Sequence, residues 1–219
     1  MIDLHTHTIW SDGNLTPAEM VQQARAKGLE GLALTDHVDE SNLEPVVAAL
    51  VKFCAGLTGM VPFPVLPGFE ITHVPPAQIR RLVKAGRKLG ARLVVMHGET
   101  VVEPVPKGTN RAAILAGVDI LAHPGLITEA EVKLAARRGV ALEITARKGH
   151  SLANGHVARL AKKFGADLVL DSDAHESTDL ISSDFALVVV KAAGLSSADF
   201  RRMQSNSRRL LTRPRLPTR

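Results

Sequence analysis

Residues 2–7 read Ile2-Asp3-Leu4-His5-Thr6-His7, and near the other end of the chain Asp173-Ala174-His175 follows the apolar run Asp167-Leu168-Val169-Leu170. Side chains alternate along an extended segment, so His5 and His7 project the same way and can grip one ion. Asp173 and His175 repeat that spacing at the end of a second candidate strand. Both pairs sit where a short apolar strand gives way to a loop.

Working outward, the same layout recurs. Thr16 caps a helix with Pro17 in its first turn and Glu19 three residues on, and the helix stops at Gly28. Gly31–Thr35 is a strand, Ser41–Leu57 a helix, Val65–Ile71 a strand and Pro76–Leu89 a helix. Leu93–Met96 is a strand, followed by a loop rich in Pro and Gly over Glu103–Thr109 and a short helix over Asn110–Ala116. Strands at Val118–Ala122, Val140–Ile144 and Asp167–Leu170 are separated by helices at Thr128–Arg138 and Ala153–Phe164. Helices at Ser182–Ala193 and Ser196–Leu211 close the chain. Seven apolar strands, each followed by helix, predict a parallel sheet buried on both faces.

An open doubly wound sheet and a closed barrel both satisfy that pattern. No glycine-rich phosphate loop follows the first strand, which weakens the dinucleotide-binding version. The polar residues favour the barrel. His5, His7 and, just beyond, Asp12 follow strand one; His37 ends strand two, Glu70 strand three, His97 strand four and His123 strand five; Asp173 and His175 follow strand seven. In a closed barrel these ends converge on one mouth, the face on which β/α barrels build their active sites. Imidazole and carboxylate donors suit zinc, iron or manganese, and carboxylates can bridge two ions. The single cysteine, Cys54, excludes a sulfur-ligated structural zinc site and reads as a small buried apolar residue.

The chain has 219 residues with 45% hydrophobic and 22% charged side chains, which suits one domain over 1–219. No apolar run approaches the roughly 20 residues that span a membrane, and Met1–His5 has no signal-peptide pattern, so a cytoplasmic protein without membrane contact is expected. Part of the +5 net charge falls on a basic C-terminal tail from about residue 201, with Arg201, Arg202, Arg208, Arg209, Arg213, Arg215 and Arg219. Such a tail can contact nucleic acid but is more often a solvated end. Aromatics are only 3%, which argues against a surface that stacks unpaired bases.

Asp3-Leu4-His5-Thr6-His7-Thr8, Ser11-Asp12-Gly13 and Leu34-Thr35-Asp36-His37 resemble the opening motifs of the PHP family, the polymerase and histidinol phosphatase domains. Gly68-Phe69-Glu70, Met96-His97-Gly98, Ala122-His123-Pro124 and Ser172-Asp173-Ala174-His175 are similar to its later motifs, over residues 2 to about 180. The resemblance implies a distorted, TIM-like (β/α)7 barrel holding two or three divalent metal ions (Zn, Mn or Fe). One ion would take His5, His7, Glu70 and Asp173; a second would share Glu70 and take His97 and His123; a third would take Asp12, His37 and His175.

The expected activity is hydrolysis of a phosphate ester of a small metabolite or nucleotide through a metal-bridging hydroxide. Asp36 and Asp171 adjoin ligands and could orient them, although Asp36 could equally cap a turn. Glu99 is a candidate general acid or a loop carboxylate without a role. Strand six offers no metal ligand, so Arg147, Lys148 and His150 after it are candidates for binding a phosphorylated small-molecule substrate, with Lys107 and Arg111 weaker. A 3′–5′ exonuclease, a non-enzymatic RNA-binding barrel and a hydrolase of C–N bonds are the rival readings. Substrate and oligomeric state are not legible in the sequence.

Overall fold

A computed structural model describes residues 1–213. Its strands are β1 (Ile2–Asp3), β2 (Gly31–Leu34), β3 (His37–Val38), β4 (Val65–Ile71), β5 (Leu93–His97), β6 (Ile120–Ala122), β7 (Ala141–Thr145) and β8 (Leu168–Asp171). The helices are α1 (Pro17–Ala26), α2 (Leu43–Leu57), α3 (Pro76–Lys88), α4 (Thr109–Ala116), α5 (Glu129–Arg138), α6 (Asn154–Phe164), α7 (Ser183–Ala192) and α8 (Ser197–Thr212), with a 3₁₀ turn at His150–Ala153. All strand pairs are parallel, in the order β1-β2-β4-β5-β6-β7-β8.

β3 is the one strand not anticipated. It pairs with β4 in the register β2 already uses: Leu34 faces Pro67 and His37 faces Glu70. The two are one strand interrupted at Thr35-Asp36, where Thr35 N–H turns aside to donate to Thr6 O (2.8 Å). The interruption brings His37 back alongside Glu70.

The sheet nearly closes between its first and last strands. Thr6 bridges Ala174 in parallel, and His7 N–H donates to Ala174 O (2.8 Å). Two buried carboxylates brace the seam. Asp171 accepts from Leu4 N–H (2.7 Å), and Asp3 accepts from Ser172 N–H (3.1 Å) and its hydroxyl (2.5 Å). The helices surround the barrel and bury a core that includes Phe69, Ile71, Val94 and Met96 against its outer face.

Period-two alternation sets what lies inside. Leu66, Leu93, Val95, Ile120, Ala141 and Val169 fill the lower interior. Counting two residues on along the same face leads from Leu66 to Gly68 and Glu70, from Val95 to His97 and from Ala141 to Glu143. The face that is apolar at the bottom therefore turns into donors at the top. At the base, Leu210 and Leu211 of α8 join the interior cluster, and Leu211 lies where a Cβ on Gly31 would stand.

The basic stretch from about 201 is the later part of the helix expected over Ser196–Leu211. Residues 201–212 belong to α8, whose apolar side is sealed into the barrel. Two of its arginines pair with acids, Arg208 with Glu30 and Arg209 with Asp167, as does Arg213, just beyond it, with Asp119, while Arg201 and Arg202 are exposed. Arg215 and Arg219 lie outside the described residues. Cys54 is buried in α2, and burial pushes its thiol up to about 12, consistent with a packing role. No helix among the described residues is long and apolar enough to cross a membrane.

Candidate metal centre

The nine residues singled out at strand ends come together at the C-terminal mouth of the barrel. Glu70, fully buried on β4, is their hub. Its Oε2 lies 3.3 Å from His5 Nε2, 3.7 Å from His7 Nε2 and 2.7 Å from His37 Nδ1. Its Oε1 lies 3.5 Å from His97 Nδ1 and 3.8 Å from His123 Nε2. The two oxygens of one carboxylate thus face two separate sets of imidazoles.

Asp173 closes the other side. Its Oδ1 is 3.2 Å from His7 Nε2 and 3.7 Å from His5 Nε2, and its Oδ2 is 3.7 Å from His123 Nε2. At the rim, Asp12 Oδ1 is 3.5 Å from His37 Nε2 and 3.3 Å from His175 Nε2. His123 and Asp173 both adopt positive φ, 27° and 55°. Non-glycine residues hold such conformations only where their surroundings over-determine them.

These donors fit divalent ions. A tetrahedral ion about 2.0–2.1 Å from its donors separates them by about 3.4 Å, close to the spacings observed. His5 Nε2, His7 Nδ1 and Nε2, Glu70 Oε1, His97 Nδ1 and Nε2, and His123 Nδ1 are buried without a hydrogen-bond partner. Buried polar atoms are seldom left so, and a concentration of them in one cluster calls for a ligand. Four metal-capable groupings lie within the nine residues: His5, His7 and Glu70; His5, His123 and Asp173; Glu70, His97 and His123; and His7 with Asp12, His37 and His175. His7 thus stands between the central set and the rim set.

Burial and neighbouring charges pull the members of the cluster in opposite directions. Burial pushes His5 down, but the charges of Glu70, Glu143 and Asp173 outweigh it and hold the ring well above its usual value. Burial, with repulsion from His37, lowers His7 to about 3. His97 is opposed by burial yet raised to about 10 by Glu103 and Glu70. Burial also opposes the charges of Glu70 and Asp173, which the surrounding histidines nevertheless keep below the usual carboxylate range.

Other sequence candidates separate. Asp36 is buried and touches no imidazole: it accepts from Thr8 N–H (2.7 Å) and from the Thr8 and Ser11 hydroxyls, holding the loop that carries Asp12. Orienting a ligand and capping a turn are the two roles expected of Asp36, and these contacts are those of a carboxylate that closes a loop. Glu99 accepts from Gly108 N–H (3.0 Å) and Asn110 N–H (2.9 Å), capping α4, and does not line the cavity. The general-acid role gives way there to the pull of a helix N-terminus on a carboxylate. Lys148 is exposed and off the cavity wall, because Gly149 turns the chain there.

A cavity of about 540 Å³ opens over the cluster, and Arg147 and His150 line it. Arg147 is held by Asp179 (2.7 Å), whose Oδ2 also accepts from His175 N–H (3.0 Å). Two carboxylates went unrecognised in the sequence. Glu143, an acid inside the apolar strand β7, lies 2.7 Å from His5 Nδ1 and accepts from His123 N–H (3.0 Å). Its apolar setting was the available signal. Glu103 reaches His97 from a loop with no such signal, at 2.9 Å.

The family model described as the PHP domain matches residues 3–96. An uncharacterized protein of Methanocaldococcus jannaschii is 41% identical over 205 residues, covering 90% of this chain and 91% of that one. A protein of Shewanella sp. (strain MR-4) named "Probable phosphatase" is 31% identical, covering 87% and 82%. "Ribonuclease P protein component 3" of Methanosarcina acetivorans is 30% identical, covering 88% and 80%. Among solved structures, a chain of an archaeal ribonuclease P with mature tRNA superposes with TM-score 0.72 at 18% identity, covering 96% of this chain and 90% of that one. Ochratoxinase of A. niger superposes with TM-score 0.64 at 14% identity, covering 99% and 72%. At these identities the solved structures share the fold.

Proposed function

The chain belongs to the PHP domain family, and from that premise we propose that it is a metal-dependent phosphoesterase hydrolysing a phosphate ester of a small metabolite or nucleotide. The observation that carries this reading is the set of buried, unpartnered imidazole and carboxylate atoms gathered beneath one open cavity. His5, His7, Glu70 and Asp173 would hold one ion, with Glu70 shared toward His97 and His123 for a second. Asp12, His37 and His175 would hold a third at the rim. Zinc, manganese or iron suits such N/O donors. Divalent ions bound there would neutralise phosphoryl oxygens and lower the pKa of water to about 7.

The chain's own groups supply the rest. Glu70 faces each set with a different oxygen, which keeps the sets at a fixed distance. Glu143 orients His5 through the ring nitrogen that points away from Glu70. Arg147, braced by Asp179 on the cavity wall, offers a guanidinium fork to a phosphate group. His150 lines the same cavity.

The relative named "Ribonuclease P protein component 3" supports a second reading, a non-enzymatic RNA-binding barrel. The full donor set weighs against it, and so do the low aromatic content and the ion-paired arginines near the end of the chain. The two readings part on metal analysis of purified protein, followed by phosphate release with Mn²⁺ or Zn²⁺ from sugar phosphates, nucleotides, histidinol phosphate and a single-stranded oligonucleotide. The expected result is bound metal and release from a small phosphomonoester or nucleotide. Degradation of the oligonucleotide alone would favour a 3′–5′ exonuclease, and metal-free protein that binds RNA would defeat the proposal.

A further inference from the structure

The mouth of the barrel holds a second set of donors, which shares His97 with the nine-residue centre through that ring's other nitrogen. Glu103 stands among three imidazoles drawn from the segments after β4, at the end of β5 and after β7. Its Oε2 lies 2.9 Å from His97 Nε2 and 3.3 Å from His73 Nε2, and its Oε1 lies 3.3 Å from His150 Nε2. His97 is buried, and neither ring nitrogen has a hydrogen-bond partner: Nδ1 is turned toward Glu70, and Nε2 toward Glu103. An ion held with Glu70 and His123 through Nδ1 therefore leaves Nε2 aimed at the lip of the cavity, where a second ion would displace the ring's remaining proton to solvent and make His97 an imidazolate bridge.

Three further features point to a ligand at that lip. One donor atom each from His73, His97 and Glu103 lies within 4.8 Å of the other two, the spread of a single coordination sphere. The 2.9 and 3.3 Å separations approach the roughly 3.4 Å between neighbouring donors of a tetrahedral ion. His150 Nδ1 lies 2.7 Å from the Thr100 hydroxyl, which fixes the ring with Nε2 against the free oxygen of Glu103. Such outer hydrogen bonds are how ligating groups are held in place.

We propose that His73, His97 and Glu103 form an outlying divalent-metal site at the lip of the cavity, with His150 bracing the carboxylate. Two imidazoles and one carboxylate leave a coordination position open, as in metal sites that engage a substrate. The lip site shares its cavity with Arg147, so an ion there adds positive charge where an anionic substrate would lie. The inference goes beyond the phosphoesterase reading and depends on the donor atoms alone.

The test is metal counting. Wild type, His73→Ala and Glu103→Gln are loaded with Zn²⁺, desalted and analysed by mass spectrometry for bound metal, and zinc-soaked crystals are examined for anomalous scattering. Each variant is expected to hold one ion fewer than wild type, with a peak between His73, His97 and Glu103 that His73→Ala abolishes. His150→Ala is expected to weaken that ion about tenfold. The side chain of His73 is 46% exposed, so its replacement spares the core, and the central ions serve as the internal control. Equal ion counts with no lip peak, while the central peaks persist, overturn this site alone and leave Glu103 as an ion-pair partner of histidines. Protein that takes up no zinc overturns both this site and the phosphoesterase reading.

Discussion

Glu143 shows how much one residue can carry without facing the substrate. One oxygen takes His5 Nδ1 and the other takes the backbone N–H of His123, so a single buried carboxylate sets the orientation of two proposed ligands. Burial raises its pKa, and the charge on His5 opposes the rise. Glu143→Gln keeps the shape but removes the charge that makes the His5 ring a better donor to metal. Metal affinity is expected to fall about 10- to 100-fold, measured by competition with a chromophoric chelator, while the circular dichroism spectrum is retained. An unchanged affinity would show that Glu143 serves packing alone. The nine residues that meet at the mouth could be singled out because all but Asp12, which lies in the following loop, stand at or just past the end of an apolar strand, a position visible in one dimension. Glu143, Glu103 and His73 were not, because their meaning lies in contacts across the mouth. Arg147, Lys148 and His150 show the limit from the other side: neighbours in sequence, they divide between the cavity wall and solvent.

At the level of elements, strand polarity does the positioning and α8 closes the end that strands leave open. The order of strands and helices was readable because capping residues and glycines punctuate it; Thr16, Thr128 and Ser196 each form the reciprocal cap with an acid three residues on. The break between β2 and β3 was not readable, since it accompanies tertiary hydrogen bonds from the β1 loop to the Thr35 and Asp36 side chains, while Asp36 O still accepts from Glu70 N–H of β4. The docking of α8 was missed for a related reason: its arginines dominate the composition, whereas its attachment rests on buried Met203, Leu210 and Leu211 and on hydrogen bonds that tie Gln204 and Asn206 to the strands. Leu211 is 4% exposed and packs into the barrel base beneath Ile2 and Gly31. Leu211→Ala removes that plug and is expected to cost about 2–5 kcal/mol, read as a lower midpoint in urea unfolding with little change in metal content. Arg208→Ala, which breaks an exposed pair with Glu30, is expected to cost under about 1 kcal/mol. A larger loss from the arginine than from the leucine would mean that charge, rather than burial, holds the helix.

For the whole molecule, the cluster links stability, pH and metal. His97 rises from the usual 6.5 to about 10 in the folded protein. A proton held more tightly by the folded than by the unfolded chain stabilises the fold fully below pH 6.5, and that contribution is lost as pH climbs toward 10. His5 is shifted in the same direction. His7 is shifted the opposite way, to about 3, so keeping it neutral costs stability as pH falls from 6.5 toward 3. Through these groups the metal-free protein loses stability on both sides of neutrality. Divalent ions change the alkaline side, because they take the places of the protons on His5 and His97 and bind more tightly as those protons leave. Chelator-treated protein is therefore expected to melt at progressively lower temperature between about pH 7 and about pH 9.5, while metal-loaded protein holds its midpoint over the same range. Calorimetric titration should also detect protons released on metal binding near neutral pH, as a binding enthalpy that varies with the ionisation enthalpy of the buffer. Parallel melting curves for the two forms, with a buffer-independent enthalpy, would mean that the charges at the mouth are balanced some other way and that metal does not exchange with protons there.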